Sequence, residues 1–168
     1  MTDIPLPSGA AAPAGDAPLT IRSARPADAA GCARIEAACF PPEQAASLQA
    51  MENRIAAYPR HVLLGELAGE VVGFVMGPVI DQPTIVDEMF ADVSCHRDDG
   101  PYQSVFSVAV HPDFQRRGYG RALVDFCLAR CAGRGHTMLV GTGDSPLTVP
   151  FYLACGFTPS HRVENFFL

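Results

Sequence analysis

Gln115-Arg116-Arg117-Gly118-Tyr119-Gly120-Arg121 is the stretch on which the reading of this chain turns. Upstream lies a short apolar run, Ser104 to Val110; downstream, Leu123, Val124, Cys127, Leu128 and Cys131 recur at helical spacing. The stretch is therefore a loop that opens a helix. A helix start presents backbone N–H groups without intrahelical partners at the positive end of the dipole, and two glycines remove side chains that would hold an anion away from them. Arg116, Arg117 and Arg121 add guanidinium donors of the kind that clasp phosphate oxygens. A pyrophosphate suits these features, and so, on spacing alone, does an ordinary tight loop with solvated arginines. The stretch lacks the Gly-Lys-Ser/Thr ending of a phosphate loop and the Gly-x-Gly-x-x-Gly of a dinucleotide turn, which argues against a nucleotide site of either kind.

Working outward, Ser104 to Val110 reads as one strand, apolar enough to lie centrally, and His111-Pro112-Asp113 closes it as a turn. The helix from Ala122 ends at Gly133. Thr137 to Val140 forms the next strand, Leu147 to Cys155 a short helix, and Arg162 to Leu168 a last strand. On the N-terminal side, residues 1–18 are rich in Pro, Ala and Gly and form a disordered tail, so residues 19–168 make a single domain. Leu19 to Ala24 alternates as a strand, and Arg25-Pro26-Ala27-Asp28 is the entrance of a helix whose apolar face holds Cys32, Ile35 and Cys39. Phe40-Pro41-Pro42 stops it, and a second helix runs from about Glu43 to Tyr58. His61 to Leu67 and Glu70 to Met76, separated by Ala68-Gly69, form a hairpin. Gly77 to Pro101 is a long excursion on the substrate side. The order βααββ then βαβαβ gives an α+β, or mixed α/β, sandwich.

Composition narrows the function classes. The chain has 168 residues, 48% of them hydrophobic and 18% charged, which suits one globular domain. A net charge of −6 argues against an extended nucleic-acid surface and suits a cationic small molecule. No apolar run approaches the roughly 18 residues of a membrane span, and the first basic residue is Arg22, so the expectation is a soluble, cytoplasmic protein. All 12 basic side chains are Arg, which excludes a lysine nucleophile. The six cysteines show no Cys-x-x-Cys and lie in or near apolar segments, as buried free thiols do. With the histidines they form no zinc set, so no metal is expected.

Taken together, the strand Val105 to Val110, the loop Gln115-x-x-Gly118-x-Gly120, Val149-Pro150-Phe151-Tyr152 and Gly156-Phe157 resemble the GNAT superfamily of acyl-CoA-dependent N-acetyltransferases. The resemblance runs from about Leu19 to Phe157. Val108-Ala109-Val110-His111, Val149-Pro150-Phe151-Tyr152 and the Asp87-Glu88-Met89-Phe90 core of Thr84 to Asp92 look most like the serotonin (arylalkylamine) N-acetyltransferase branch and its bacterial relatives. The resemblance implies a central mixed, mostly antiparallel sheet flanked by helices and splayed at the acyl-CoA-binding strand. It also implies acetyl-CoA as co-substrate and direct transfer to a small primary amine in a ternary complex.

By the same resemblance, the strand Val108-Ala109-Val110 offers backbone groups of Val108 and Val110 to the pantetheine arm. Residues Gln115, Arg116, Arg117, Gly118, Tyr119, Gly120 and Arg121 hold the pyrophosphate. Tyr152 is the acid that meets the leaving thiolate; read without the motif, it is a core tyrosine. The incoming ammonium must lose a proton, for which Glu36, Glu88, His96 and Asp144 are candidates, with Glu88 preferred because it lies on the substrate-side excursion. Phe40, Pro41, Glu88, Ser104 and Phe106 are the acceptor-pocket candidates. Two departures from the family pattern stand out. The serotonin-acetylating enzymes carry two histidines at positions that match Ser104 and Phe106 here, and only Thr158 to Leu168 remain for two final strands, which leaves room for strand sharing in a homodimer. Acetylation of protein N-termini or lysines, and a catalytically silent acyl-CoA-binding module, are the alternatives.

Overall fold

The computed structural model describes residues 2–4, 17–141 and 147–161. A five-stranded antiparallel sheet carries β1 (Thr2–Ile4), β2 (Leu19–Ser23), β3 (Val62–Leu67), β4 (Glu70–Met76) and β7 (Ser107–Val110) in that spatial order. A second sheet joins β5 (Val79–Ile80), β6 (Tyr102–Val105) and β8 (Thr137–Val140), with β6 and β8 parallel. The helices are α1 (Ala29–Cys39), α2 (Leu48–Ala57), α3 (Glu88–Ala91), α4 (Tyr119–Arg134) and α5 (Thr148–Ala154). This is the expected mixed α+β sandwich.

Strands β3 and β4 are buried on both faces, and their alternation sorts two cores. Leu63 and Val75 join Leu123, Val124 and Cys127 of α4 on one face. Leu64, Phe74 and Met76 join Cys32, Ile35, Met51 and Ile55 of α1 and α2 on the other. Each fully buried Leu or Phe contributes about 1.5–3 kcal/mol. Arg22, only 11% exposed, ties β2, the α1 entrance and β3 together by donating to Asp28 at 2.8 and 2.9 Å and to Glu66 at 2.7 Å.

Several boundaries differ from the sequence expectation, each for a local reason. The second helix starts at Leu48 rather than Glu43, because Ser47 caps it by accepting from the Ala50 N–H at 3.1 Å. Helix α4 runs to Arg134 because Gly135, not Gly133, adopts the left-handed C-cap with φ 70°. The excursion after Met76 is ordered into β5 and α3. Within the expected tail, Thr2–Ile4 pair antiparallel with β2, while residues 5–16 lie outside the described residues. The strand expected from Arg162 to Leu168 lies outside them too.

The expected single strand Ser104–Val110 is broken at Phe106. Both Phe106 and Ser107 oppose Met76: the Phe106 N–H donates to the Met76 carbonyl at 2.8 Å, whereas the register pairs Met76 with Ser107. Two residues against one is a β-bulge, and it bends the strand. Before the bulge, β6 runs beside β8; after it, β7 runs beside β4. Gly77 makes the crossing possible, since a Cβ there would lie 2.1 Å from the Ser104 carbonyl oxygen. The expected splay is this divergence.

Candidate active site

Backbone direction follows from the β4–β7 ladder. The His111 N–H donates to the Val72 carbonyl at 2.8 Å, so Ser107, Ala109 and His111 face β4, and Val108 and Val110 turn their N–H and C=O groups away from it. Among the described residues no strand runs along that outer edge of β7. Val108 therefore leaves both groups without a backbone partner among the described residues. Val110 offers its N–H only, because its carbonyl accepts from Gln115 Nε2 at 2.8 Å and from Cys39 Sγ at 3.2 Å. Gln115 thus braces the strand to the loop with its side chain.

The loop itself is held in an unusual conformation. Arg116 has φ 63° and Gly118, the N-cap of α4, has φ 82° and ψ 8°. A left-handed arginine costs of order 1 kcal/mol and persists where the surroundings impose it; alternating left-handed residues turn successive N–H groups into one concavity. A Cβ added to Gly120 would meet Phe151 and Val110 at 3.8 Å, an ordinary contact, so packing within the chain does not account for that glycine. The three arginines are not equivalent. Arg116 is exposed with no partner among the described residues. Arg117 folds back, donating from Nη2 to the Asp113 carbonyl at 3.1 Å and stacking 5.6 Å from the Phe114 ring, with Nη1 buried and without a hydrogen-bond partner among the described residues. Arg121 is engaged by both Asp125 oxygens at 3.0 and 3.1 Å. Tyr119 is 2% exposed and anchors the helix start in the core, so only its backbone can face a ligand.

Tyr152 lies on α5 edge-on between Phe151 and Phe157, at 5.1 and 5.6 Å. Burial, and secondarily Cys155, push its phenol up to about 12, so it holds its proton throughout the neutral range. Among the described residues its hydroxyl has no hydrogen-bond partner.

On the opposite face of β7 the arrangement is made of side chains. The bulge brings Phe106 and Ser107 to the α1–α2 layer: Phe106 stacks on Phe90 at 4.2 Å, and the Ser107 hydroxyl donates to Glu36 Oε2 at 2.9 Å. Glu36 is 4% exposed, and its Oε1 accepts from the Ala46 N–H at 3.3 Å. Burial pushes this carboxyl above the usual range, while the Ser107 and Ala46 hydrogen bonds and the Arg54 charge pull it back down. A buried carboxyl beside the splayed strand is the arrangement expected of a general base.

The other acceptor candidates divide. Phe40 is half-buried and packs against the α1–α2 core; Pro41 is exposed. Ser104, expected against the acceptor, is instead fully buried, and its hydroxyl donates to the Pro78 carbonyl at 2.6 Å. Glu88, the preferred base in the sequence reading, is exposed at the start of α3. Glu36 was one of four candidates there, and the signal that could have singled it out is its place four residues after Cys32, on the buried stripe of α1. Asp144 lies outside the described residues. His111 is a turn residue, as expected, its Nδ1 accepting from the Asp113 N–H at 3.2 Å.

His61, His96 and Asp98 bring three ligand-type atoms within 4.8 Å of one another. Hydrogen bonds fix their protons. Gln103 Nε2 donates to the Gly77 and Ser104 carbonyls, so its Oε1 accepts from His61 Nδ1 at 2.7 Å. The Val79 N–H occupies His96 Nδ1, which leaves the ring proton on Nε2, 2.9 Å from Asp98. A metal at that nitrogen would have to displace the ring proton, and the hydrogen bonds His61–Gln103 and His96–Asp98 already engage these groups. A small cavity lined by His61, Cys127, Arg130, Cys131, Arg134 and His136 contains none of the donor or acceptor candidates. All six cysteines are free thiols, and among the described residues no helix is long and apolar enough to cross a membrane.

Comparison with known proteins agrees with this geometry. Residues 27–157 match the model of the acetyltransferase (GNAT) family. No curated protein matches the chain. Among solved structures, the loading GNATL domain of CurA from Lyngbya majuscula superposes with a TM-score of 0.67 at 22% identity, over 74% of this chain and 64% of that one; the chain thus spans under two thirds of that domain. Ard1 from Thermoplasma volcanium gives 0.65 at 22% identity, over 85% of this chain and 84% of that one. AAC(6')-Iy, in complex with the bisubstrate analogue CoA-S-monomethyl-acetylneamine, gives 0.62 at 18% identity, over 86% and 94%. At these identities the structures speak for the fold alone, while the family match covers most of the chain: the protein belongs to the acetyltransferase (GNAT) family.

Proposed function

We propose that the protein transfers an acetyl group from acetyl-CoA to a small primary amine, with arylalkylamines the favoured class. The observation that carries this reading is the β7 bulge, which has an open backbone edge and a helix start opened by left-handed residues on one side and a buried carboxyl with an aromatic wall on the other. Acetyl-CoA, when bound, supplies the activated acyl group. The chain's own residues do the rest.

Val108 would receive the pantetheine arm through its free N–H and C=O. The N–H groups at the start of α4, with Arg116, would receive the pyrophosphate. The amine enters as ammonium, with a pKa of roughly 10, and needs a proton acceptor before it can attack. Glu36 fills that role, reached directly or through the Ser107 hydroxyl that donates to it. Tyr152, protonated at neutral pH, gives its proton to the leaving thiolate. Phe40, Phe90 and Phe106 supply an apolar wall that suits an aromatic or alkyl amine. The same stack narrows the approach, which favours a small acceptor over an extended peptide.

The test is thiol release from acetyl-CoA across a panel of arylalkylamines, alkylamines, aminoglycosides and N-terminal peptides. Arylalkylamines should give the highest kcat/KM. Calorimetric binding of acetyl-CoA with no thiol release on any acceptor would replace this reading with that of a silent binding module.

A further inference from the structure

Arg54 is buried to the same degree as Glu36, 5% exposed, in the last turn of α2. A guanidinium out of water is costly unless its charge and donors are met. Here they are met in an unusual way. Nη2 donates to the Phe90 carbonyl of α3 at 3.1 Å, Nη1 points at the Met76 sulfur of β4 at 3.7 Å, and the guanidinium carbon lies 6.0 Å from the Phe106 ring centre. No carboxylate lies within ion-pair distance of it among the described residues. The nearest carboxyl along its contacts is that of Glu36, the base of the proposed function, held by Ser107 next to the Phe106 ring that Arg54 covers.

We propose that Arg54 is a positioning residue of the acceptor site, with two separable roles: its hydrogen bond fastens α3 so that Phe90 lies on Phe106, and its guanidinium supplies a positive charge to the layer in which Ser107 holds Glu36. The inference rests on the reading of Glu36 as base. Geometry explains why one residue serves both ends. The guanidinium lies between the α3 backbone and the bulged strand, so fixing the aromatic wall also fixes a positive charge in the layer that holds Glu36. Among the described residues the groups facing Glu36 are few. From its own helix come the thiols of Cys32 and Cys39, neutral at ordinary pH because burial pushes both up; from β7 comes Ser107; from the connection to α2 comes the Ala46 N–H; and from α2 comes Arg54. Arg54 is the one cation among them.

Two variants separate the roles. Arg54→Gln removes charge and fork together. It should move the acidic limb of the kcat/KM profile up by about one pH unit, because a carboxyl without its cation holds its proton longer. The KM for the amine should rise several-fold while acetyl-CoA affinity is unchanged. Arg54→Lys restores the charge but not the planar fork. The limb should return to its original position, while KM remains raised and amide exchange at Phe90 and Ala91 stays faster than in the parent. A purely structural arginine would change the two variants alike, with no movement of the limb, and that outcome would overturn the proposal. Side-chain carbon NMR of the Glu36 carboxyl, followed against pH in the parent and in both variants, reads the same shift without turnover. If the carboxyl titrates at the same pH in Arg54→Gln as in the parent, Arg54 does not set its charge, whatever the acceptor proves to be. If it shifts while the activity limb does not, Arg54 acts as inferred and Glu36 is not the base.

Discussion

The two faces of β7 are built from different materials. On the α4 face the candidate donor site is backbone: the outward edge of Val108, a left-handed pair at Arg116 and Gly118, and the first N–H groups of a helix. On the α1–α2 face the candidate acceptor site is side chain: Glu36 from α1, Arg54 from α2, Phe90 from α3 and Phe106 and Ser107 from the bulge. A backbone site depends on chain conformation and tolerates most side-chain changes that leave conformation alone. A side-chain site depends on the identity and burial of a few groups drawn from distant parts of the chain. Mutations should therefore divide cleanly, with the acceptor face losing rate and the donor face losing cofactor affinity.

The largest effect should come from Glu36→Gln. Removing a general base costs about a thousandfold in kcat, within the usual range for proton-transfer catalysis, while acetyl-CoA affinity measured by calorimetry stays within twofold. A variant that lost acetyl-CoA affinity equally would show that the two faces are not separate. The same substitution should raise stability at neutral pH. Burial pushes the Glu36 carboxyl above its unfolded value, so the protonated form is favoured in the fold, and stability falls as pH rises from the ordinary glutamate range through the folded value. Glutamine does not ionise, so the melting temperature of Glu36→Gln should exceed that of the parent at pH 7.5 and match it more closely at pH 4. Next, Tyr152→Phe should cost about a hundredfold in kcat, again with acetyl-CoA affinity retained, because Tyr152 acts on the leaving group. Retention of full rate in Tyr152→Phe at neutral pH would make it the core tyrosine that its ring contacts also allow.

The same contrast explains what was legible in the sequence. Gln115 to Arg121 could be read because a backbone site needs glycine at fixed offsets, and fixed offsets survive in a linear string. The alternation of β3 and β4 and the stripes of α1 and α4 were legible for the same reason. The bulge at Phe106 was not: Ser104 to Val110 alternates well enough for one strand, and the break comes from Gly77, nearly thirty residues earlier, passing beside Ser104. That misreading moved Ser104 into the pocket, although its hydroxyl is bonded to Pro78. Glu88 was favoured over Glu36 because loop placement was visible in sequence and burial was not. The Arg54–Phe90 bond spans 36 residues, and neither partner advertises the other.

Gly118→Ala tests the donor face at intermediate strength. A left-handed alanine costs roughly 1–2 kcal/mol, so the Kd for acetyl-CoA should rise about tenfold with the KM for the amine unchanged at saturating acetyl-CoA.

The smallest effects sort the three arginines of the loop. Arg121 already has both carboxylate oxygens of Asp125, and Arg117 is folded onto Phe114 and the Asp113 carbonyl. Arg116 has no partner among the described residues, but it is exposed, and an exposed charge contact contributes about 0.2–1 kcal/mol. Arg116→Gln should therefore raise the Kd for acetyl-CoA only about threefold, and the difference should vanish at 0.5 M salt, where screening shortens the reach of an exposed charge. Arg121→Gln should change the Kd less than Arg116→Gln, because its guanidinium must first leave Asp125; Asp125→Asn, which releases it, should tighten binding slightly. The reverse order, with Arg121→Gln the more damaging, would mean that the Arg121–Asp125 pair opens on binding and that the donor face, too, depends on a rearranged side chain.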